Sequence, residues 1–415
     1  MKIRVLVLAV LLACLPAFSQ AQLKQGDGVA ISGDSITEQK LYSVFMEEYL
    51  LMCQPAADLH TAQFGWSGET APGFLGRMAN DVLWFKPQVA TTCYGMNDGG
   101  YRPMADDTAK RYRDSHKAIV QQFKKAGARL IIVGSPGCVD ADTFRQSLDA
   151  ATMYNKTLAG LRDIAREVAK EEEVVFANVF DPMVEAMTKG KAKYGSKYHM
   201  AGGDGIHPSA NGQLVMAYAF LKAMGCDGNI GAISIDLAAG KAQASDGHKV
   251  LGGNGGTVEI ESSKYPFCFY GDPAAPDATA GVIEFIPFNQ DLNRLTLTVT
   301  GGKGKLKVTW GKTTKTFDAG QLAKGINLAA EFLDNPFVEP FRQAGQAIRQ
   351  QQSYETTLHK QLLHDLAMYR KAVPDEEQAL QRLAEKVIEK QKQLSAASRA
   401  AVKPVKHTIK VEAAE

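Results

Sequence analysis

Between Gly28 and Gly225 short apolar runs alternate with longer amphipathic stretches, and few folds accommodate that rhythm. Strands joined by helix-length crossovers pair in parallel and need helices over both faces of their sheet. Val29-Ala30-Ile31-Ser32 reads as a first strand, Leu41 to Met52 as a helix, and Leu59 to Gln63 as a weaker second strand. Val89 to Cys93 and Leu130 to Gly134 are stronger strands, the latter preceded by a helix from Thr108 to Lys125. A helix from Phe144 to Glu171 leads into a fifth strand at Val174 to Val179. Ser209 to Met224 closes the series as a helix, with Gly225 as its stop. The pattern predicts a three-layer α/β domain with a five-stranded parallel sheet over residues 22–227.

Beyond that domain the texture changes. Residues 228–330 are rich in Gly, Thr and Asp and carry alternating runs, among them Val282 to Ile286, Leu295 to Val299 and Lys305 to Trp310. Gly301 to Gly304 lies between the last two as a turn signal, which predicts antiparallel hairpins in a small β module. Residues 331–415 read as helical. Ala347, Tyr354, Leu358, Leu362, Leu366 and Tyr369 share a face, Pro374 interrupts, and Leu380, Leu383, Val387 and Leu394 form a second stripe. The expectation is a C-terminal helical hairpin with a frayed tail from Arg399.

Residues 1–21 read as a signal peptide: Lys2 and Arg4 precede an apolar run from Val5 to Leu15, and Ser19-Gln20-Ala21 is a small-residue cleavage site. The chain is therefore expected to be exported, periplasmic or extracellular, with lipid attachment through Cys14 as a second reading. Removing Cys14 leaves Cys53, Cys93, Cys138, Cys226 and Cys268, an odd number without C-x-x-C spacing. They read as buried small side chains rather than a disulfide framework or a zinc site. Lys plus Arg number 47 against 45 Asp plus Glu, a net charge of +2. That balance gives no field for nucleic acid or an anionic membrane, and no later stretch is apolar enough to span a bilayer.

Elimination narrows the chemistry. No H-E-x-x-H pair is present, and His359 and His364 lie five apart, a spacing that separates side chains on an α-helix. No G-x-x-x-x-G-K-[ST] loop occurs, and Gly33-Asp34-Ser35 lacks the spacing of a dinucleotide site. The sequence therefore supports neither a cofactor nor a metal.

Hydroxyl and imidazole chemistry remains. Ser35 directly follows the first strand, and ligands of open parallel sheets bind outside the carboxyl ends of strands. A serine there also suits a helix cap. Gly65-Trp66-Ser67-Gly68-Glu69-Thr70 follows the second strand and Tyr94-Gly95-Met96-Asn97-Asp98-Gly99 the third. Each reads equally as a turn, although the Asn97 amide is a donor suited to a developing oxyanion. In Gly203-Asp204-Gly205-Ile206-His207-Pro208, Asp204 can hold one ring nitrogen of His207 and leave the other to take a proton from Ser35. A capping Asp and a surface His are the plainer reading.

Taken together and in this order, the four motifs resemble the SGNH (GDSL) hydrolase family over Val29 to Gly225. The resemblance implies a flavodoxin-like α/β/α sandwich with strand order 2-1-3-4-5 and ester cleavage without a metal. It implies Ser35 as nucleophile, Asp204 and His207 as its triad partners, and an oxyanion hole of Ser35 N–H, Gly68 N–H and Asn97. Ile36 replaces the family's common Leu. The β module and helical hairpin lie outside the match, as in exported bacterial members with long C-terminal extensions.

The expected activity is that of an exported serine esterase acting on short acyl, foremost acetyl, esters of a polysaccharide or small molecule. The alternatives are a lipase, lysophospholipase or thioesterase using the same triad, and a non-catalytic glycan-binding surface protein. Loops Gly99-Gly100-Tyr101-Arg102 and Lys197-Tyr198-His199 are expected to offer aromatic and polar groups to sugars.

Overall fold

The computed structural model describes residues 23–53, 58–144 and 147–414. The segment read as a signal peptide, Cys14 included, lies outside the described residues. Strand β1 (Gly28–Gly33) is buried along its whole length because it is an interior strand of a parallel sheet. A short helix α1 (Ser35–Glu38) and helix α2 (Tyr42–Glu48), extended by a π-helical turn at Tyr49–Cys53, lead to β2 (His60–Gln63). Helix α3 (Ala71–Asp81), β3 (Val89–Cys93), α4 (Asp106–Lys125), β4 (Leu130–Gly134), α5 (Leu148–Glu171) and β5 (Val175–Ala177) follow. The strand order is β2-β1-β3-β4-β5, all parallel, as the resemblance implied. Helix α6 (Phe180–Tyr194), which the sequence pattern does not single out, precedes α7 (Ala210–Ala223). Asp181-Pro182 and Gly190 weaken its helical signal in the sequence. Gly190 is there for contact, since a Cβ would lie 2.5 Å from the Tyr198 ring.

The β-rich region holds two sheets. Strands β6 (Asn229–Asp236), β7 (Lys241–Ala244), β8 (His248–Asn254) and β9 (Thr257–Ser262) come first. After a short helix α8 (Phe288–Asp291) come β10 (Arg294–Thr300), β11 (Lys305–Trp310), β12 (Thr313–Asp318), α9 (Ala319–Lys324), β13 (Ile326–Asn327) and α10 (Leu328–Glu331). One sheet has the order β13-β10-β6-β7, with β10 and β6 parallel. Strands β10 and β11 belong to different sheets, so Gly301 to Gly304 is a crossing between sheets and not the expected hairpin turn. Val282 to Ile286 is not a strand either: Val282–Glu284 is a 3₁₀ turn. Its buried positions, Val282 and Ile286, are four apart and not two.

Helix α11 (Val338–Thr357) continues through a π-helical turn (Leu358–Leu363) into α12 (Leu366–Ala372), and α13 (Glu377–Ala401) returns alongside. The expected frayed tail is instead ordered as β14 (Val405–Ala413), seated between β11 and β9 in a sheet of order β12-β11-β14-β9-β8. Its inward side chains are His407, Ile409 and Val411, while Lys406, Thr408, Lys410 and Glu412 face outward. That alternation is the strand signal.

The helical region meets the α/β domain through buried polar groups. Gln351 Nε2 donates to Glu47 Oε1 at 2.9 Å and to Glu355 Oε1 at 3.0 Å, and Gln352 Nε2 donates to Glu47 Oε2 at 2.7 Å. Burial pushes both carboxyls above the ordinary range against these donors. Cys53, Cys93, Cys138, Cys226 and Cys268 are all buried and unpaired. Among the described residues no helix is long and apolar enough to cross a membrane.

Candidate active site

The sharp turn after β1 depends on Gly33, where a Cβ would overlap Thr37 Oγ1 and lie 2.9 Å from the Cys93 carbonyl oxygen. Asp34 caps α1 by accepting from Ile36 N–H at 2.9 Å. Burial raises the Asp34 carboxyl to about 7, outweighing that bond. Ser35 is the first residue of α1, just beyond the carboxyl end of β1, an interior strand of the sheet.

On the far side, Gly202 and Gly205 take φ of +79° and +75° and fold the 202–207 loop back on itself. A Cβ on Gly202 would overlap the His207 carbonyl, so the loop is built around its glycines. Asp204 Oδ1 accepts from Ile206 N–H at 3.0 Å and His207 N–H at 2.9 Å, while Oδ2 lies 2.7 Å from His207 Nδ1. Burial alone would raise this carboxyl, but the donors outweigh it and hold it at about 2. An ionised carboxylate only accepts, so Nδ1 carries the proton and Nε2 of the neutral ring presents its lone pair. Nε2 lies 2.8 Å from Ser35 Oγ, which therefore donates to it. Ser35, His207 and Asp204 form one directional relay.

The flanking loops follow β2 and β3, the two neighbours of β1. Trp66 N–H donates to the Gly33 carbonyl at 3.0 Å, tying the second loop to the first. Gly68 is exposed, has φ of +76°, and has open space where a Cβ would stand. Asn97 Nδ2 donates to the Glu69 carbonyl at 3.0 Å, joining the third loop to the second beside Gly68. Glu69 is itself clamped by Arg77, with Nε and Nη2 donating at 2.6 and 2.7 Å, and by Tyr94 Oη at 2.9 Å.

Residues 31–215 match the GDSL-like lipase/acylhydrolase family. This part of the chain is a GDSL-like lipase/acylhydrolase domain. The chain is accordingly a serine ester hydrolase. A gut microbial diltiazem-metabolizing enzyme superposes on 95% of this chain and 100% of its own, with TM-score 0.72 and 24% identity, so the two share a fold from end to end. A catalytic mutant of an acetylxylan esterase from Geobacillus stearothermophilus aligns with 49% of this chain and 96% of its own, with TM-score 0.41 and 19% identity. No curated protein matches the sequence.

An open cleft of about 460 Å³ in the GDSL-like domain is lined by Ser35, Glu38, Gln39, Lys40, Ser67, Asp204 and His207. Four of these were not foreseen: Glu38, Gln39, Lys40 and Ser67. Glu38 stands three residues after Ser35, a spacing that carries no recognisable signal by itself. Its partner Lys360 is 322 residues away, beyond the reach of any local pattern. The helical expectation for His359 and His364 also changes. The π-helical turn brings both rings to Trp66, at 6.2 and 4.9 Å, and His364 Nδ1 lies 2.9 Å from Asp81 Oδ2. Lys197-Tyr198-His199 offers less than expected, because Tyr198 is fully buried against Tyr194 and Phe285. Tyr101 does remain partly open, its ring tilted 30° against Tyr154 with centroids 4.8 Å apart.

Proposed function

We propose that the chain is an exported esterase that hydrolyses short acyl esters, foremost acetyl esters, carried on carbohydrate. The observation that carries the reading is the relay from Ser35 Oγ through the His207 ring to Asp204. His207 Nε2 takes the hydroxyl proton as Ser35 Oγ attacks the ester carbonyl carbon. The resulting oxyanion is held by the N–H groups of Ser35 and Gly68 and by the Asn97 amide. His207 then returns the proton to the leaving alcohol, giving an acyl-enzyme on Ser35. Water, deprotonated by the same nitrogen, releases the acid and restores the serine. Asp204 keeps the ring in the required tautomer throughout.

One observation supports a short acyl group on a polar alcohol. Every side chain lining the cleft is polar or charged. A long alkyl chain gains about 0.8 kcal/mol per methylene only where apolar walls bury it. Export is supported by the apolar run and cleavage site within residues 1–21. In this reading residues 22–227 perform the chemistry, the β-rich module 228–330 docks a large polar substrate, and residues 331–415 form a helical C-terminal region. The test compares kcat/KM for acetyl and octanoyl esters and assays acetate release from acetylated xylan and pectin. Acetyl preference with acetate release is expected. Octanoyl preference with no acetate from either glycan would replace this reading with a lipid-directed one.

A further inference from the structure

The proposed oxyanion donor Gly68 N–H belongs to the Ser67–Gly68 peptide, and the orientation of that peptide is set from outside its own loop. Trp66 to Glu69 form a β-turn closed by Glu69 N–H on the Trp66 carbonyl at 3.1 Å, with Gly68 in the left-handed region at its third position. The central peptide of such a turn is the one free to rotate. Here the residue that begins it is held: the Ser67 N–H, from the preceding peptide, and the Ser67 hydroxyl both donate to Glu38 Oε2 at 2.6 Å. Glu38 follows Ser35 by one helical turn, so a single side chain couples the nucleophile's helix to the donor loop.

Glu38 does not stand alone. Its other oxygen, Oε1, accepts from Lys360 Nζ at 2.7 Å, and Lys360 comes from the π-helical turn after α11. The ammonium also lies 4.8 Å from the centroid of the Trp66 ring, the first residue of the turn. The side chains of Glu38 and Lys360 are 19% and 24% exposed, so the pair is shielded enough to hold a geometry. Lys360 and the Ser67 groups keep the Glu38 carboxyl below its ordinary range although burial opposes them. Gly65 allows the approach, since a Cβ there would overlap the Glu38 backbone nitrogen.

We propose that Glu38 and Lys360 are positioning residues, and that the C-terminal helical region aims the Gly68 N–H at the oxyanion rather than serving as packing alone. The proposal rests on the esterase reading above, with Gly68 as a donor. Removal of a whole donor costs about 10²–10³ in kcat, and misaiming one costs less.

The experiment measures kcat and KM on an acetyl ester for Lys360→Met, Lys360→Arg and Glu38→Gln in the full chain, with Ser35→Ala alongside and melting temperatures for all. Lys360→Met keeps an unbranched side chain without the ammonium and should lower kcat about 10-fold with KM changed less than about 2-fold. Glu38→Gln should lower kcat about 30-fold, Lys360→Arg should restore most of the wild-type rate, and the double variant should lose no more than Glu38→Gln alone. An active Ser35→Ala would overturn the esterase mechanism itself. An inactive Ser35→Ala together with unchanged kcat in Lys360→Met and Glu38→Gln would overturn the positioning role only. A loss of kcat that tracks a fall in melting temperature and is not rescued by arginine would also overturn it, leaving the pair structural.

Discussion

The Ser262 hydroxyl lies 2.9 Å from His407 Nε2 deep in the β-rich region, and the contact has only one proton arrangement. Trp310 Nε1–H can only donate, and it meets His407 Nδ1 at 3.1 Å. A neutral His407 therefore donates from Nε2 to Ser262. Ser262 in turn donates to His248 Nδ1 at 2.7 Å, and His248 Nε2–H donates to the Ile230 carbonyl at 3.0 Å. The chain links β11, β14, β9, β8 and β6 across both sheets. It is satisfied only while both rings are neutral.

Acid should therefore loosen the β-rich region. Burial pushes His407 down to about 4 and also lowers His248. The unfolded chain, with an ordinary imidazole near 6.5, takes up protons that the fold refuses between those values. The stability is complete above pH ~6.5 and is lost as pH falls toward about 4, on the order of 3 kcal/mol for His407. Denaturant unfolding at pH 7.5 and 4.5 should show a larger drop for wild type than for His407→Gln. Equal drops would remove the histidine chain as the cause.

Replacing Asp204 by Asn should lower kcat about 10⁴-fold without unfolding the protein. The asparagine oxygen still accepts the Ile206 and His207 N–H groups, but its amide donates to Nδ1 and drives the ring proton to Nε2. That leaves no lone pair for Ser35. Steady-state kinetics with circular dichroism checks this. Activity within 10-fold of wild type would remove Asp204 from the relay.

Asn97→Ala should reduce kcat about 10²–10³-fold and leave KM nearly unchanged, because its amide acts on charge that develops only in the transition state. A KM effect alone would make Asn97 a substrate-binding group. Unchanged kinetics would leave it the loop tie to the Glu69 carbonyl.

Strand β14 should behave as core and not as tail. Ile409 is fully buried between β11 and β9. Ile409→Ala should cost about 2–5 kcal/mol, whereas Lys410→Ala on the outward face should stay within about 0.5 kcal/mol. Chemical denaturation of both variants checks the contrast, and equal effects would contradict the register.

The parallel domain was legible because most of its strands are short apolar runs joined by long crossovers, with β2 (His60–Gln63) the weak one. The residues that form the relay could be picked out because strand ends and glycines concentrate there: Ser35 after β1, and Gly202 and Gly205 around Asp204. What was not legible depends on distance or on mixed signals. Lys360 reaches Glu38 only because α11 packs on α2. Strand β14 alternates correctly but carries His407 at an inward position, where the partners that make it acceptable, Trp310 and Ser262, are remote in sequence. The turn at Gly301 to Gly304 looks local, yet the choice between a hairpin and a crossing was decided by β6 pairing with β10 and β14 pairing with β11.

The central claim is that Ser35 is the nucleophile of this relay. Treating the wild-type protein with a fluorophosphonate and mapping the adduct by peptide mass spectrometry tests it most directly. The account predicts a single adduct on Ser35, formed as activity is lost, with Ser35→Ala unlabelled and inactive. An adduct on Ser67 in its place, or a Ser35→Ala variant that still turns over an acetyl ester, would contradict it.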